Sequence, residues 1–238
     1  MEPRPSNLPN YKISPSDLTY LYKSCKRCFY DKVKHQFKLP SNFSEHFSNA
    51  DRAMRQAMTT NDVVDLGVGP KFRVVSQGGW VESIPLGFDE AGISLTIAGK
   101  YDAVVVTESD EIFVVDYKTT TLDDFALAKF GPQLMSYLTA IELPKSKDSD
   151  LPAYVDGTAL LVFDPTKFAF NAKTKNCGLY GRTRWVELPR KQQAFDVLLH
   201  TVAKLVAHPE PPRSEKTCEI CVLRFSSHAD RSSLGTPV

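Results

Sequence analysis

The chain has 238 residues, 42% hydrophobic and 24% charged, with 12 Gly and 16 Pro. These proportions place it among globular proteins and exclude collagen-like, coiled-coil and intrinsically disordered chains. Lys and Arg number 29 against 28 Asp and Glu, a net charge of +1, so affinity for nucleic acid has to come from a local site.

No stretch approaches the roughly 20 apolar residues of a membrane span. The start, Met1-Glu2-Pro3-Arg4-Pro5-Ser6, lacks the charged and apolar regions of a secretory signal, so the expectation is a cytoplasmic protein without membrane contact. Residues 1–13 read as an extended lead-in, 14–228 as one α/β domain with helical ends, and 229–238 as a disordered tail. Ser14-Pro15-Ser16-Asp17 is a helix start, with capping side chains and Pro in the first turn. Leu18, Leu21 and Tyr22 follow at helical spacing, and Cys25 and Cys28 continue the run. Residues 39–43 read as a loop, and Phe47, Ala50, Ala53, Met54 and Ala57 predict a second helix over 44–58.

Short β segments follow at 72–75, 80–86, 93–98, 102–107 and 111–117, separated by turn-forming pairs. A helix is predicted over 122–141. A strand over 159–163, ended by Asp164-Pro165, comes next, then an edge strand over 185–188. A long amphipathic helix over 190–207 is stopped by His208-Pro209.

Four of the five cysteines form two Cys-x-x-Cys pairs, Cys25/Cys28 and Cys218/Cys221, at opposite ends of the chain. Two intervening residues let both thiolates turn toward one ion, and two such pairs complete a tetrahedron. The expectation is a metal or cluster site that ties the ends of the domain together. Cys177 reads as a surface or packing cysteine.

The segment Gly99-Lys100-Tyr101-Asp102, a run of valines, and Val114-Val115-Asp116-Tyr117-Lys118 describe two neighbouring strands. Residues i and i+2 of a strand share a face, so Asp116 and Lys118 project together and Asp102 can reach the same spot. Two carboxylates and a lysine suit metal-assisted phosphodiester hydrolysis: oxygen ligands hold Mg²⁺ or Mn²⁺, and the ammonium positions water or offsets developing charge. Gln133 and Tyr137 form an i, i+4 pair on the following helix and can support the site. By chance alone, acid-x-Lys on a strand is a common solvated edge; the buried run leading into Asp116 argues against that here, because desolvated charge needs a partner.

These residues resemble motifs II and III and the following helix of the PD-(D/E)XK nucleases, RecB-like branch. The pattern Ser14-Pro15-Ser16-Asp17-Leu18 followed by Cys25-x-x-Cys28-Phe29-Tyr30 is similar to the iron–sulfur members, which include the CRISPR-associated adaptation exonucleases and AddB-type nuclease domains. The likeness spans roughly residues 14–225. It implies a restriction-endonuclease-like mixed sheet flanked by helices and an Mg²⁺- or Mn²⁺-dependent deoxyribonuclease. It also implies DNA, single strands included, as substrate, and a protein partner in a repair, recombination or CRISPR-type complex.

In the site that the resemblance implies, Asp102, Asp116 and the Tyr117 carbonyl hold the metal. Lys118 activates water, Gln133 and Tyr137 support the phosphate, and Cys25, Cys28, Cys218 and Cys221 hold a [4Fe–4S] cluster. Two departures stand out. Relatives carry three C-terminal cysteines where this chain has Ser226 and Ser227 after its pair, with Cys28 as the fourth thiol instead, so Zn²⁺ remains the alternative. The early-helix metal-binding His of many relatives has only Glu45, His46 and Asp51 as candidates. No P-loop is present, so no built-in helicase motor is expected.

Two basic groups could track a phosphate backbone. One is Lys23, Lys26, Arg27, Lys32 and Lys34, interleaved with Tyr22, Phe29 and Tyr30; the other is Arg182, Arg184, Arg190 and Lys191. A rival reading is a non-catalytic nucleic-acid-binding or scaffold subunit that retains the nuclease fold.

Overall fold

The computed structural model describes residues 8–38, 45–59, 63–146, 150–215 and 217–222, with residues 45–51 described by their backbone alone. The expectations for residues 1–7, the loop at 39–43, Ser226, Ser227 and the tail lie outside the described residues, as do the side chains of Glu45, His46 and Asp51.

The N-terminal segment enters as strand β1 (Asn10–Ile13), paired in parallel with β5 (Ile93–Lys100). Ser14 then caps α1 (Pro15–Thr19), its side chain accepting from the Asp17 N–H. The single helical run read from the sequence is broken here into α1, α2 (Leu21–Ser24) and α3 (Lys26–His35). The break has a local cause: Cys25 is extended, with φ −158° and ψ 109°, and begins α3 afresh. Apolar spacing alone does not reveal such a restart, because both helices keep their apolar residues on the core side. Helix α4 (Glu45–Thr59) follows the expected second helix closely.

Strand β2 (Phe72–Gln77) precedes β3 (Trp80–Glu82) and β4 (Leu86–Phe88). The latter two replace one predicted segment and are separated by Pro85, which lacks the N–H a continuous ladder needs. β5, β6 (Ala103–Thr107) and β7 (Ile112–Thr119) run as expected. The predicted helix over 122–141 is a short α5 (Asp124–Leu127), a 3₁₀ turn and then α6 (Gly131–Glu142). Pro132 explains the restart, since its ring is incompatible with an uninterrupted helix through the preceding turn.

The last strands are longer than read. β8 (Gly157–Asn171) continues through Asp164-Pro165 by a bulge between Pro165 and Lys167, and β9 (Asn176–Leu188) pairs along its whole length. A bulge is where a sheet accepts proline, so Pro165 bends the strand without ending it. α7 (Gln192–Ala207) closes the described fold, and residues 219–222 are helical.

These strands form two mixed sheets. β5 pairs with β1, β3 and β4, and the larger sheet has the order β2-β6-β7-β8-β9 with β7 and β8 parallel. The alternation along β7 sorts its two faces. Val114 joins a core of Leu160, Val162, Leu134, Leu138, Ile97 and Leu95 between the sheets and α6 and α7. Phe113, Val115 and Tyr117 join a second core with Phe72, Val105 and Leu161 on the α4 side. Asp116 therefore points toward α6 rather than α4. Among the described residues no helix is long and apolar enough to cross a membrane.

Candidate active site and metal centre

β6 and β7 pair only as far as Ala103 and Val115, so the Tyr117 N–H lies beyond the end of their ladder. Asp102, in the turn before β6, fills that place: its Oδ2 accepts from the Tyr117 N–H at 2.7 Å. The Gly78 N–H holds the Asp102 carbonyl at 2.8 Å and fixes the turn from the other side. This brings the Asp102 carboxylate beside the C-terminal half of β7.

Asp116 is 2% exposed and has both oxygens engaged. Its Oδ1 accepts from Gln133 Nε2 at 2.9 Å, and Lys118 Nζ lies 2.5 Å from Oδ2. Gln133 stands in the first turn of α6, where the Pro132 restart places it over β7. Tyr137, one turn later, receives a contact from Gln133 at 3.4 Å and donates to the Lys100 carbonyl at 2.8 Å. All five side chains singled out from the sequence converge here. The Tyr117 side chain is buried in the α4-side core, so only its backbone faces the site.

Four neighbours were not read from the sequence. Arg55 on α4 donates to Asp102 Oδ1, and Gln77 Nε2 holds both the Arg55 carbonyl, at 3.1 Å, and the Tyr117 hydroxyl, at 3.2 Å. Tyr20, in the gap between α1 and α2, lies close enough to Lys118 and Asp116 for their charges to act on its hydroxyl. Phe130 places its ring 4.7 Å from Lys118 Nζ. Arg55 lies one helical turn beyond Asp51, so the i+4 position was the available signal.

The electrostatics follow from burial. Asp102 has its pKa raised to about 7, first by desolvation and then by the charge of Asp116, against the pull of Arg55. Burial alone would lower the pKa of Lys118, but Asp116 and its neighbours outweigh it and hold the ammonium charged. Burial, then the charge of Asp116, keeps the Tyr137 hydroxyl protonated as a hydrogen-bond donor.

A pH dependence follows for metal-free protein. A carboxyl whose folded pKa lies above its unfolded value binds its proton more tightly when folded. The Asp102 contribution to stability is thus full below pH 3.8 and is lost as pH rises toward about 7. Thermal unfolding of chelator-treated Asp102→Asn, compared with wild type between about pH 5 and about pH 8, is expected to show a flatter decline. Parallel curves would refute a buried, proton-retaining Asp102.

Two converging carboxylates, already faced by Arg55 and Lys118 as counter-charges, are a donor set suited to a hard divalent cation. Gln133 Oε1 is buried without a hydrogen-bond partner among the described residues, which suits a donor such as a metal-bound water. No third His, Cys, Asp or Glu joins the pair among the described residues.

The second centre joins the ends of the fold. Cys25 stands at the start of α3 and Cys28 in its first turn, where extended backbone at Cys25 brings the two sulfurs together. Cys218 and Cys221 meet them, and the four Sγ atoms all lie within 4.8 Å of one another. Cys28 Sγ is 3.4 Å from Cys221 and 3.6 Å from Cys218, and Cys25 is 3.7 Å from Cys221. Burial pushes the Cys221 thiol up to about 11 and Cys28 further. Burial also opposes ionisation of Cys25, but the N–H groups of Glu215 and Cys28 and the neighbouring thiols outweigh it and bring it down to about 7. Four sulfurs gathered in this way, one of them with its thiol acidified, are a set ready to exchange protons for a metal. Cys177 is exposed at the start of β9 and is not part of this group.

The aromatics interleaved with the first basic group do not form a platform for single strands. Tyr22, Phe29 and Tyr30 are buried in the core, because their helices turn these faces inward. The lysines and arginine around them are tied to Asp17, Asp31 and backbone carbonyls.

The family model of the PD-(D/E)XK nuclease superfamily matches residues 16–225, which spans both the carboxylate site and the four cysteines. The chain belongs to this superfamily. The two mixed sheets flanked by helices are consistent with the superfamily's restriction-endonuclease-like fold, and its nucleases use divalent metals. No curated protein matches the chain. Among solved structures, the crystal structure of SSO0001 covers 90% of this chain and 84% of its own, with 15% identity and a TM-score of 0.49.

Proposed function

We propose that this PD-(D/E)XK protein is an Mg²⁺- or Mn²⁺-dependent deoxyribonuclease of the RecB-like branch, acting on DNA ends or single strands in repair, recombination or CRISPR-type processing. The observation that supports this best is the meeting of Asp102, Asp116 and Lys118, with Gln133 bonded to Asp116 and its own Oε1 left without a partner among the described residues. Asp102, Asp116 and the Tyr117 carbonyl would hold the metal, which polarises a phosphate and lowers the pKa of its bound water. Lys118, kept charged by Asp116, orients the attacking water and offsets charge on the phosphate. Gln133 holds Asp116 and would have its Oε1 available as an acceptor, and Tyr137 keeps α6 in place over the carboxylates.

Lys118→Ala tests the reading. Wild type is expected to cut end-labelled single- or double-stranded DNA with Mn²⁺ or Mg²⁺, and chelation or the substitution is expected to stop it, with a product ladder starting from the ends. Failure of folded, metal-loaded wild type to cut any DNA would favour a non-catalytic subunit that keeps the fold.

For the cysteine site the sulfur spacing favours a single ion. Four thiolates around one Zn²⁺ at about 2.3 Å stand about 3.8 Å apart. Three of the pairs here, at 3.4, 3.6 and 3.7 Å, are near that value, and all four sulfurs lie within 4.8 Å of one another. Thiolates capping the four irons of a [4Fe–4S] cluster stand further apart, and the likeness to the iron–sulfur nucleases is what supports that second reading. Anaerobically purified protein that is brown, with iron and sulfide, would establish the cluster; colourless protein with stoichiometric zinc would establish the ion.

A further inference from the structure

β7 ends at Thr119, opposite Phe163 of β8, while β8 and β9 continue past it as a two-stranded ribbon over residues 164–182. At about 3.3 Å per residue the ribbon projects on the order of 25 Å from the end of the sheet that carries Asp116 and Lys118. Its root is fastened beside the site, where Arg184 bonds Asp124 and the Leu122 carbonyl in the segment joining β7 to α6.

The ribbon gathers exposed rings and cations on two short paired segments. Phe168 is 65% exposed, Phe170 61%, Leu179 52% and Tyr180 60%. The register pairs Phe168 with Leu179 and Phe170 with Cys177, so these four share one face. Lys167 pairs with Tyr180 on the other. In a chain of net charge +1, this segment carries Lys167, Lys173, Lys175 and Arg182 against one acid, Asp164. A two-stranded ribbon has no core of its own in which to bury aromatics, and an exposed apolar patch marks a binding surface. Cations beside exposed rings match a phosphate backbone with unpaired bases better than they match a protein surface.

We infer that the β8–β9 ribbon binds single-stranded nucleic acid entering or leaving the active site, with bases stacked on Phe168 and Phe170 and phosphates met by the lysines and Arg182. This inference rests on the nuclease reading above and assigns that site its strand-guiding surface.

The test uses the full chain and a fluorescein-labelled oligothymidylate, titrated by anisotropy without added Mg²⁺ or Mn²⁺. Phe168→Ala/Phe170→Ala is expected to weaken binding about tenfold or more. Lys167→Glu/Lys173→Glu/Lys175→Glu, which leaves the rings in place, is expected to weaken it and to make the salt dependence shallower by about 2 in log–log slope. In cleavage assays both variants should raise KM and leave kcat near wild type. Wild-type affinity and salt slope in both variants would overturn the inference while the nuclease reading stands on wild-type cleavage. Losses confined to blunt duplex would overturn the assignment to unpaired bases. A dimer that becomes monomeric in Phe168→Ala/Phe170→Ala, with oligothymidylate binding unchanged, would make the ribbon a self-association surface instead. If wild type neither binds nor cuts nucleic acid, the nuclease reading fails and takes this inference with it.

Discussion

Asp116→Asn is expected to lower Mn²⁺-dependent cleavage by about a hundred- to a thousandfold while the chain stays folded. The substitution keeps the shape and removes the charge, and that charge organises the whole site. One carboxylate oxygen holds Gln133 at 2.9 Å and the other holds Lys118 at 2.5 Å. It is also the charge, after burial, that raises the pKa of Asp102. With Asn in place, one metal ligand loses its charge and Lys118 loses the partner that keeps it protonated and aimed.

The effect on stability is smaller because two consequences oppose each other. Leaving a buried ammonium without its counter-charge costs a few kcal/mol at most, since Asp102 remains close enough to act on it. Removing one of two coupled carboxylates relieves repulsion on Asp102. The melting temperature is therefore expected to shift by only a few degrees while activity collapses. A variant that retains more than about a tenth of wild-type cleavage would remove Asp116 from the reaction.

The largest effect on stability is expected at the cysteines. Cys25→Ser or Cys221→Ser should release the bound metal and lower the melting temperature by about 10 °C or more. A metal held only by the folded chain stabilises it by its binding free energy, and structural zinc in small domains supplies about 10–16 kcal/mol. Losing even a third of that would move a chain of this size by about 10 °C, at about 2–4 °C per kcal/mol.

The reason for such dependence is local. After α7 the chain is held by the Tyr30 hydroxyl, which donates to the His208 and Pro209 carbonyls at 2.8 and 3.1 Å. Beyond these, residues 213–215 are exposed, and the described segment after them meets the body through Cys218 and Cys221. Trypsin is therefore expected to cut after Arg213 much faster in the metal-free variants. Cys177→Ser, on the exposed ribbon, is the control and should keep both metal and melting temperature. Equal proteolysis rates in wild type and Cys25→Ser would mean that the four thiols do not clamp the ends.

Much of the site was legible from the chain because its signals are local. Asp116 and Lys118 are two residues apart on a strand, and Gln133 and Tyr137 four apart on a helix, so period alone places each pair on one face. The Cys-x-x-Cys pairs announce themselves by the same short-range geometry, and the run of valines before Asp116 marks a strand whose burial makes a terminal charge costly.

Other features depend on pairing between distant segments, which no local period encodes. Asp102 belongs to the site because the β6–β7 ladder ends one pair short and leaves the Tyr117 N–H for its carboxylate. Arg55 reaches Asp102 only because α4 packs across the face of β7 opposite α6. The helical run through Tyr22, Phe29 and Tyr30 is amphipathic by spacing, but which side faces solvent was settled by the sheet and α7 packed against it. Pro165 reads as a strand terminator and becomes a bulge, because β9 remains paired beyond it after β7 has ended. Short-range covalent geometry thus specified which side chains could act together. Burial and strand register, which depend on contacts between residues far apart in the chain, specified where they meet and what charge they carry.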